Sequence, residues 1–208
     1  MAVNDKGDIT AGTRFTVFLA APEKRKGAHD GEGEEHFPEA SVMVAFALHL
    51  LQRDAQRVEL HPDGMHARQH DIEAQLKAAG FRFTAGTERG SCVGQYVRDR
   101  QYIDVDFRSG VGDVVTEIDG RRILAECKGG IVNTRHAGPQ SRLRTAVCEA
   151  VGQLMGREQP SGERHVAVVP YTRLTDRVAT RMAPRALRAG IELALVKPDG
   201  SVVYVRSG

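Results

Sequence analysis

Cysteine is scarce: Cys92, Cys127 and Cys148 are odd in number and far apart. That excludes a disulfide framework and the Cys-x-x-Cys spacing of a zinc site, and it predicts a reducing, cytoplasmic setting. Long apolar runs are missing too. None approaches the roughly 20 residues that a membrane-crossing helix needs, so no membrane partner is expected. The opening "MAVNDKGDITAG" lacks a basic segment followed by an apolar core, which predicts no signal peptide. Neither charge dominates, with 29 Lys and Arg against 27 Asp and Glu. There is no internal repeat.

What remains is a chain of 208 residues, 41% hydrophobic and 27% charged, enough for one good-sized domain with or without an appendage. Its charge is unevenly spread. Residues 121–190 hold 12 Arg and 1 Lys against 5 acids, a net +8, which leaves −6 for the rest of a chain of net +2. An Arg-rich half beside an acidic half suits an anionic partner on one face, or a chain that simply uses Arg on its surface.

Periodicity divides the chain into elements. "TRFTVFLA" (Thr13–Ala20) and "RVELH" (Arg57–His61) read as strands, and the charged, Gly-rich Ala21–Phe37 as a loop. Pro38 opens an apolar helix, and His66–Gly80 is predicted as a second helix with Gly80 as its stop. Phe81–Gln101 reads as a strand followed by a loop. "YIDVDF" alternates as a strand, and "IVNTRHAGP" reads as a loop. Gln140–Glu158 carries Leu143, Val147, Val151 and Leu154 on one helical stripe. "RHVAVVPY" is a buried strand. A helix with a kink or break at Pro184 and a closing Asp-Gly hairpin end the chain. The order predicts an α/β fold, a mixed central β-sheet flanked by helices. Residues 1–64 are expected to be an N-terminal extension packed on a core of residues 65–208.

The sharpest local signal is "GDVVTEIDGRRILAECKGG", Gly112–Gly130. Asp119-Gly120 favours a two-residue hairpin turn, and the turn fixes the register. Ile118 then faces Arg121, Val114 faces Ala125, and Asp113 faces Glu126. Opposed residues have Cβ atoms about 4.5–5.5 Å apart, and Lys128, two residues past Glu126, shares its face. Two facing carboxylates raise one pKa unless a cation lies between them. Mg²⁺, bound through one or two carboxylates plus water and phosphate, suits such a pair. Lys128 would then orient or deprotonate the attacking water, or neutralise transition-state charge. A loose surface ion pair is the plainer alternative. Apolar residues on both faces of both strands favour a covered, central hairpin. Gly112, Gly129 and Gly130 are expected to leave the backbone open to a ligand.

An Asp, a hairpin and then Glu-x-Lys, with a helix before and a helix after, resembles the PD-(D/E)xK superfamily of restriction-endonuclease-like nucleases, over roughly Met65–Val205. The resemblance implies metal-dependent phosphodiester hydrolysis. Asp113 and Glu126 would bind Mg²⁺ or Mn²⁺, the Cys127 main-chain carbonyl would be a further ligand, and Lys128 would be the catalytic lysine. Gly112 stands where the motif often has Pro. Many members carry a Glu for a second metal on the helix ahead. The matching position here is Gln69, with Glu73 one turn later as a substitute. Gln153, with Glu149 one turn before it, fits a Gln found near the site in several members. DNA is the expected substrate, in phage defence, restriction, repair or mobile-element processing, by a homodimer or by a subunit of a larger nucleic-acid-processing complex. A non-catalytic nucleic-acid-binding or interaction module on the same fold is the alternative from another class. An RNA or nucleotide phosphodiesterase is the third.

Beyond this motif, Arg135, Arg142 and Arg144 are expected to contact phosphates. Arg173, Arg177, Arg181, Arg185 and Arg188 fit a solvated helix face. Asp104 and Asp106 join the site only if their strand lies beside Asp113; an edge strand's polar face is the expectation. His61, His66 and His70 are expected to be exposed or capping. Cys127 should point away from Glu126 and Lys128, and Cys148 into the core.

Overall fold

A computed structural model describes residues 13–19, 33–63, 70–86, 92–108 and 110–206. The elements in chain order are β1 (Val17–Phe18), β2 (Glu35–Phe37), α1 (Glu39–Gln52), β3 (Arg57–Leu60), α2 (Ile72–Ala78), β4 (Arg82–Ala85), β5 (Gly94–Arg98) and β6 (Gln101–Val105). They continue as β7 (Val114–Ile118), β8 (Arg121–Cys127), β9 (Gly130–Ile131), α3 (Ala137–Met155), β10 (Arg164–Pro170), α4 (Arg173–Arg188), β11 (Ile191–Val196) and β12 (Val202–Tyr204). Nine strands form one mixed sheet in the order β12-β11-β10-β8-β7-β3-β6-β5-β4, and β1-β2-β9 form a small second sheet. The architecture is mixed α/β, with four helices among the described residues flanking the large sheet. No helix among those residues is long and apolar enough to cross a membrane.

The sequence of the central strands explains why they are covered on both sides. Val114, Ile123, Ala125, Cys127, Val166 and Val168 enter one core with α1 and α2. Val115, Leu124, Ala167 and Val169 enter a second core with α3 and α4. Strands buried on both faces read as continuous apolar runs. Parallel pairing of β8 with β10 and of β10 with β11 requires long crossovers, and α3 and α4 supply them. Helix α1 is buried nearly all round because apolar residues occupy all its faces.

The β7–β8 hairpin has the register its turn dictates. The pairs run unbroken from Ile118 with Arg121 to Val114 with Ala125. Asp119 and Gly120 have φ values of 52° and 71°, the doubly left-handed pattern of a type I′ turn.

Several expectations need correction. Phe81–Gln101 is not a strand and a loop: β4 and β5 extend the sheet as a meander with β6. Strand β6 is not an edge, since β3 and β5 flank it. Helix α2 spans Ile72–Ala78, where the Asp71 side chain accepts the Ala74 N–H as N-cap, and residues 66–69 of the expected helix lie outside the described residues. "IVNTRHAGP" holds β9 and the first residues of α3. Helix α4 is unbroken at Pro184, so the expected break is absent. Residues 1–64 do not simply pack on a separate core. Strand β3 pairs with β7 on one side and β6 on the other, inside the large sheet.

Candidate metal and phosphate site

Asp113, Glu126 and Lys128 meet at the open end of the hairpin, in a cavity of about 390 Å³. Asp113 is held by three hydrogen bonds. Its N–H donates to Ala125 O at 2.9 Å, its carbonyl accepts the His61 N–H at 2.9 Å, and Oδ2 accepts the Cys127 N–H at 2.7 Å. The expected Asp113–Glu126 pair is not part of the ladder: regular pairing ends at Val114 with Ala125, Asp113 precedes β7, and its N–H and Oδ2 bond to Ala125 and Cys127 instead. Glu126 is 3% exposed and sits on the α3 side of β8, next to Ala167 of β10. The Lys128 N–H donates to Val168 O at 2.9 Å, which fixes the stretch after β8 against β10.

One further cation and two further acids complete the cluster. Arg157 Nη2 lies 2.5 Å from Glu126 Oε1, and Lys128 Nζ lies 3.6 Å from Glu39 Oε1. Glu149 of α3 also acts on Lys128 through its charge. Burial, then the charge of Glu126, pushes Asp113 up to about 7, against the pull of the Cys127 N–H and of Lys128. Burial alone would depress Lys128. Glu39, Asp113, Glu149 and Glu126 together outweigh it and hold the ammonium above its ordinary value.

Glu39 arrives by a route the sequence did not suggest. Strand β2 pairs antiparallel with β9, placing Phe37 opposite Gly130. Pro38 and Glu39 therefore start α1 beside the residues that follow Lys128. Gly129 permits this: a Cβ there would lie 2.5 Å from both Phe37 O and Glu39 N. A Cβ on Gly130 would meet Leu143, and one on Gly112 would meet Leu124. Those three glycines admit neighbouring protein rather than an open approach for a ligand.

The remaining candidates divide. Gln153 lines the cavity as expected. Glu73 does not. It pairs with Lys77 at 2.6 Å on α2, near β4 and β5, whereas the site lies between β7 and β8. Gln69 and His66 lie outside the described residues. Arg135 and Arg144 are exposed, and Arg142 lines an adjoining groove of about 380 Å³ that shares Glu39 with the site. The five α4 arginines are exposed too. Asp104 pairs with Arg57 and Asp106 with Arg108, and β3 separates their strand from Asp113. Cys127 has its side chain in the core, whereas Cys148 is exposed rather than buried.

His61 is buried and lines the cavity, not exposed or capping. Its Nδ1 lies 3.1 Å from Asp106 O and its Nε2 3.3 Å from Glu59 Oε2. His70 is bonded to Gln75 of α2. Sequence reasoning missed Glu39 and Arg157 altogether. The available signals were a first-turn Glu directly after Pro38 and an Arg four residues past Gln153.

The donor set fits a small, hard cation. Asp113 Oδ1 and Glu126 Oε2 have no hydrogen bond among the described residues, and burial together with the charge of Glu126 raises the Asp113 carboxyl. Two carboxylate oxygens with water completing the shell is an ordinary Mg²⁺ arrangement. No group of three or more His, Cys, Asp or Glu side chains among those residues is arranged to hold a metal alone. Water or phosphate oxygen would have to supply the rest. No known family model, curated protein or solved structure matches this chain.

Proposed function

We propose that this protein is a divalent-metal-dependent nuclease that hydrolyses DNA phosphodiester bonds, on a restriction-endonuclease-like sheet. The observation that carries the reading is the convergence of Asp113, just before β7, and Glu126 of β8 with Lys128 in one open cavity. Asp113 Oδ1 and Glu126 Oε2 would hold Mg²⁺ or Mn²⁺, and the resemblance adds the Cys127 carbonyl. The bound ion would polarise a phosphate oxygen and make its water more acidic.

Lys128 stays protonated at neutral pH because its pKa is raised, so it donates to the water or to the phosphate rather than accepting a proton. Gln153, reaching the cavity from α3, orients the water. Water would attack phosphorus in line and release its proton to solvent as the P–O bond to the leaving oxygen breaks, and that oxygen would take a proton from solvent. Glu39 takes the accessory role that the resemblance assigned to Gln69 and Glu73. Arg142, with Arg135 and Arg144 on the same stretch of chain, meets neighbouring phosphates.

The test is cleavage of plasmid, single-stranded DNA and RNA with Mn²⁺ and with EDTA, alongside Lys128→Ala. Metal-dependent DNA cleavage that the variant loses is expected. Cleavage that survives EDTA refutes the proposal. One observation favours the second reading, a non-catalytic nucleic-acid-binding module: Arg157 and Lys128 already neutralise Glu126 and Glu39 without any metal. Such a module would bind nucleic acid in a salt-dependent way without turnover.

A further inference from the structure

Arg157 follows Gly156, the C-cap of α3, and both arms of its guanidinium are engaged. Nη2 donates to Glu126 Oε1 at 2.5 Å, and Nη1 donates to Gly110 O at 2.8 Å. Glu126 has only 4% of its side chain exposed, so leaving it charged without a counter-ion is costly. Arg157 is its ion-pair partner among the described residues. A metal held by Asp113 and Glu126 would be a second cation on the same carboxylate, and two cations at that range repel each other. The inference rests on reading those two residues as metal ligands.

We propose that Arg157 is the resident counter-ion of Glu126 and competes with the divalent cation for it. The guanidinium withdraws from Oε1 as the ion enters, while its bond to Gly110 O keeps it in the cavity wall. Arg157 is thus a positioning residue. It holds Glu126 in place before loading and sets how much metal is needed to load the site. Arg108 provides the internal control. It lines the same cavity, but its partner is Asp106 at 2.7 Å.

Mn²⁺ affinity, read from the free-ion paramagnetic resonance signal, tests the competition in wild type, Arg157→Gln, Arg157→Lys and Arg108→Gln. Thermal unfolding with and without Mn²⁺ gives a second readout. Arg157→Gln should bind Mn²⁺ at least about fivefold tighter than wild type, with Arg108→Gln changing less than about twofold. Metal-free Arg157→Gln should melt below wild type, because Glu126 is then buried without its cation, and saturating Mn²⁺ should narrow the gap. Arg157→Lys keeps the charge but loses the planar fork, and should bind Mn²⁺ with an affinity between the two.

Equal or weaker Mn²⁺ binding by Arg157→Gln overturns the competition, as does a gain equally large in Arg108→Gln; either result leaves the metal site standing. If Arg157→Gln does not fold, Arg157→Lys decides: tighter binding supports the proposal and unchanged binding overturns it. A folded wild type that binds no Mn²⁺ overturns the metal site and the competition with it.

Discussion

Strand β8 has a charged cluster at each end. At its Arg121 end, buried Glu163 receives Arg122 at 3.0 Å and His165 at 2.8 Å, and Arg164 grips Glu192 with two bonds of 2.7 and 2.9 Å. There each acid has a close basic partner. At its Cys127 end, Asp113, Glu126, Glu39 and Glu149 gather around Lys128 and Arg157, and burial and repulsion push Asp113 up to about 7. Both clusters sit at the ends of covered strands, where unpaired charge is costly. The first is built to be complete in itself. The second sets four acids against two cations, an imbalance that the proposed metal would offset.

The largest effect that would sharpen this contrast is on activity. Asp113→Ala, Glu126→Ala and Lys128→Ala should each lower DNA cleavage with Mn²⁺ by at least about 1000-fold. Circular dichroism should show the fold kept. Glu163→Ala, at the other end of the same strand, should leave the rate per folded molecule unchanged. It should instead cost about 2 kcal/mol of stability, read by denaturant unfolding, because half-exposed Arg122 and buried His165 lose their acceptor. If Glu163→Ala abolished cleavage without destabilising the protein, the division of labour between the two ends would be lost.

A smaller effect concerns pH and metal-free stability. Asp113 has a pKa of about 7 in the fold against an ordinary 3.8. The folded state therefore binds more protons than the unfolded one between these values, and stability falls as pH rises. The contribution is intact below about pH 4 and is lost as pH rises through about 7. Asp113→Asn does not titrate, so its melting temperature should match wild type at pH 4 and exceed it at pH 8. Each tenfold change in proton affinity is worth about 1.4 kcal/mol; reduced for partial exposure, the gain at pH 8 is roughly 2 kcal/mol. Mn²⁺ should raise the wild-type melting temperature at pH 8 and leave Asp113→Asn nearly unmoved.

The sequence made one part of this site legible and hid another, and the reason is the range of the interactions. Asp113, Glu126 and Lys128 could be brought to one end of the hairpin on paper because a two-residue turn transmits register along two short strands, unbroken from Ile118 with Arg121 to Val114 with Ala125, although the ladder ends before Asp113. The apolar run of β10 and the stripe of α3 were local as well. By contrast, β3 lies between β7 and β6 through pairings that no neighbouring residue encodes. Glu73 seemed the accessory acid because its helix precedes the hairpin in the chain. The sheet order then puts that helix near β4 and β5. Arg157 lies just outside the periodic stripe of α3, where a helical pattern says nothing about the direction of a side chain.

Glu39 gives the smallest effect and the finest test. It reaches the site because β2 pairs with β9 and because Gly129 lets the start of α1 press against the chain. Its carboxylate lies 3.6 Å from Lys128 Nζ and is the first of the four acids that keep that ammonium charged. Glu39→Gln should keep the helix start and remove the charge. Cleavage at saturating Mn²⁺ should fall by about tenfold, or about 1.4 kcal/mol of barrier, and the loss should be largest at low metal if Glu39 supports a second ion. Gly129→Ala should act on the same residue indirectly, by displacing the α1 start, and combining the two changes should give less than the sum of their separate losses. Full additivity would mean that Gly129 does not act through Glu39, and that α1 is a neighbour of the site rather than one of its walls.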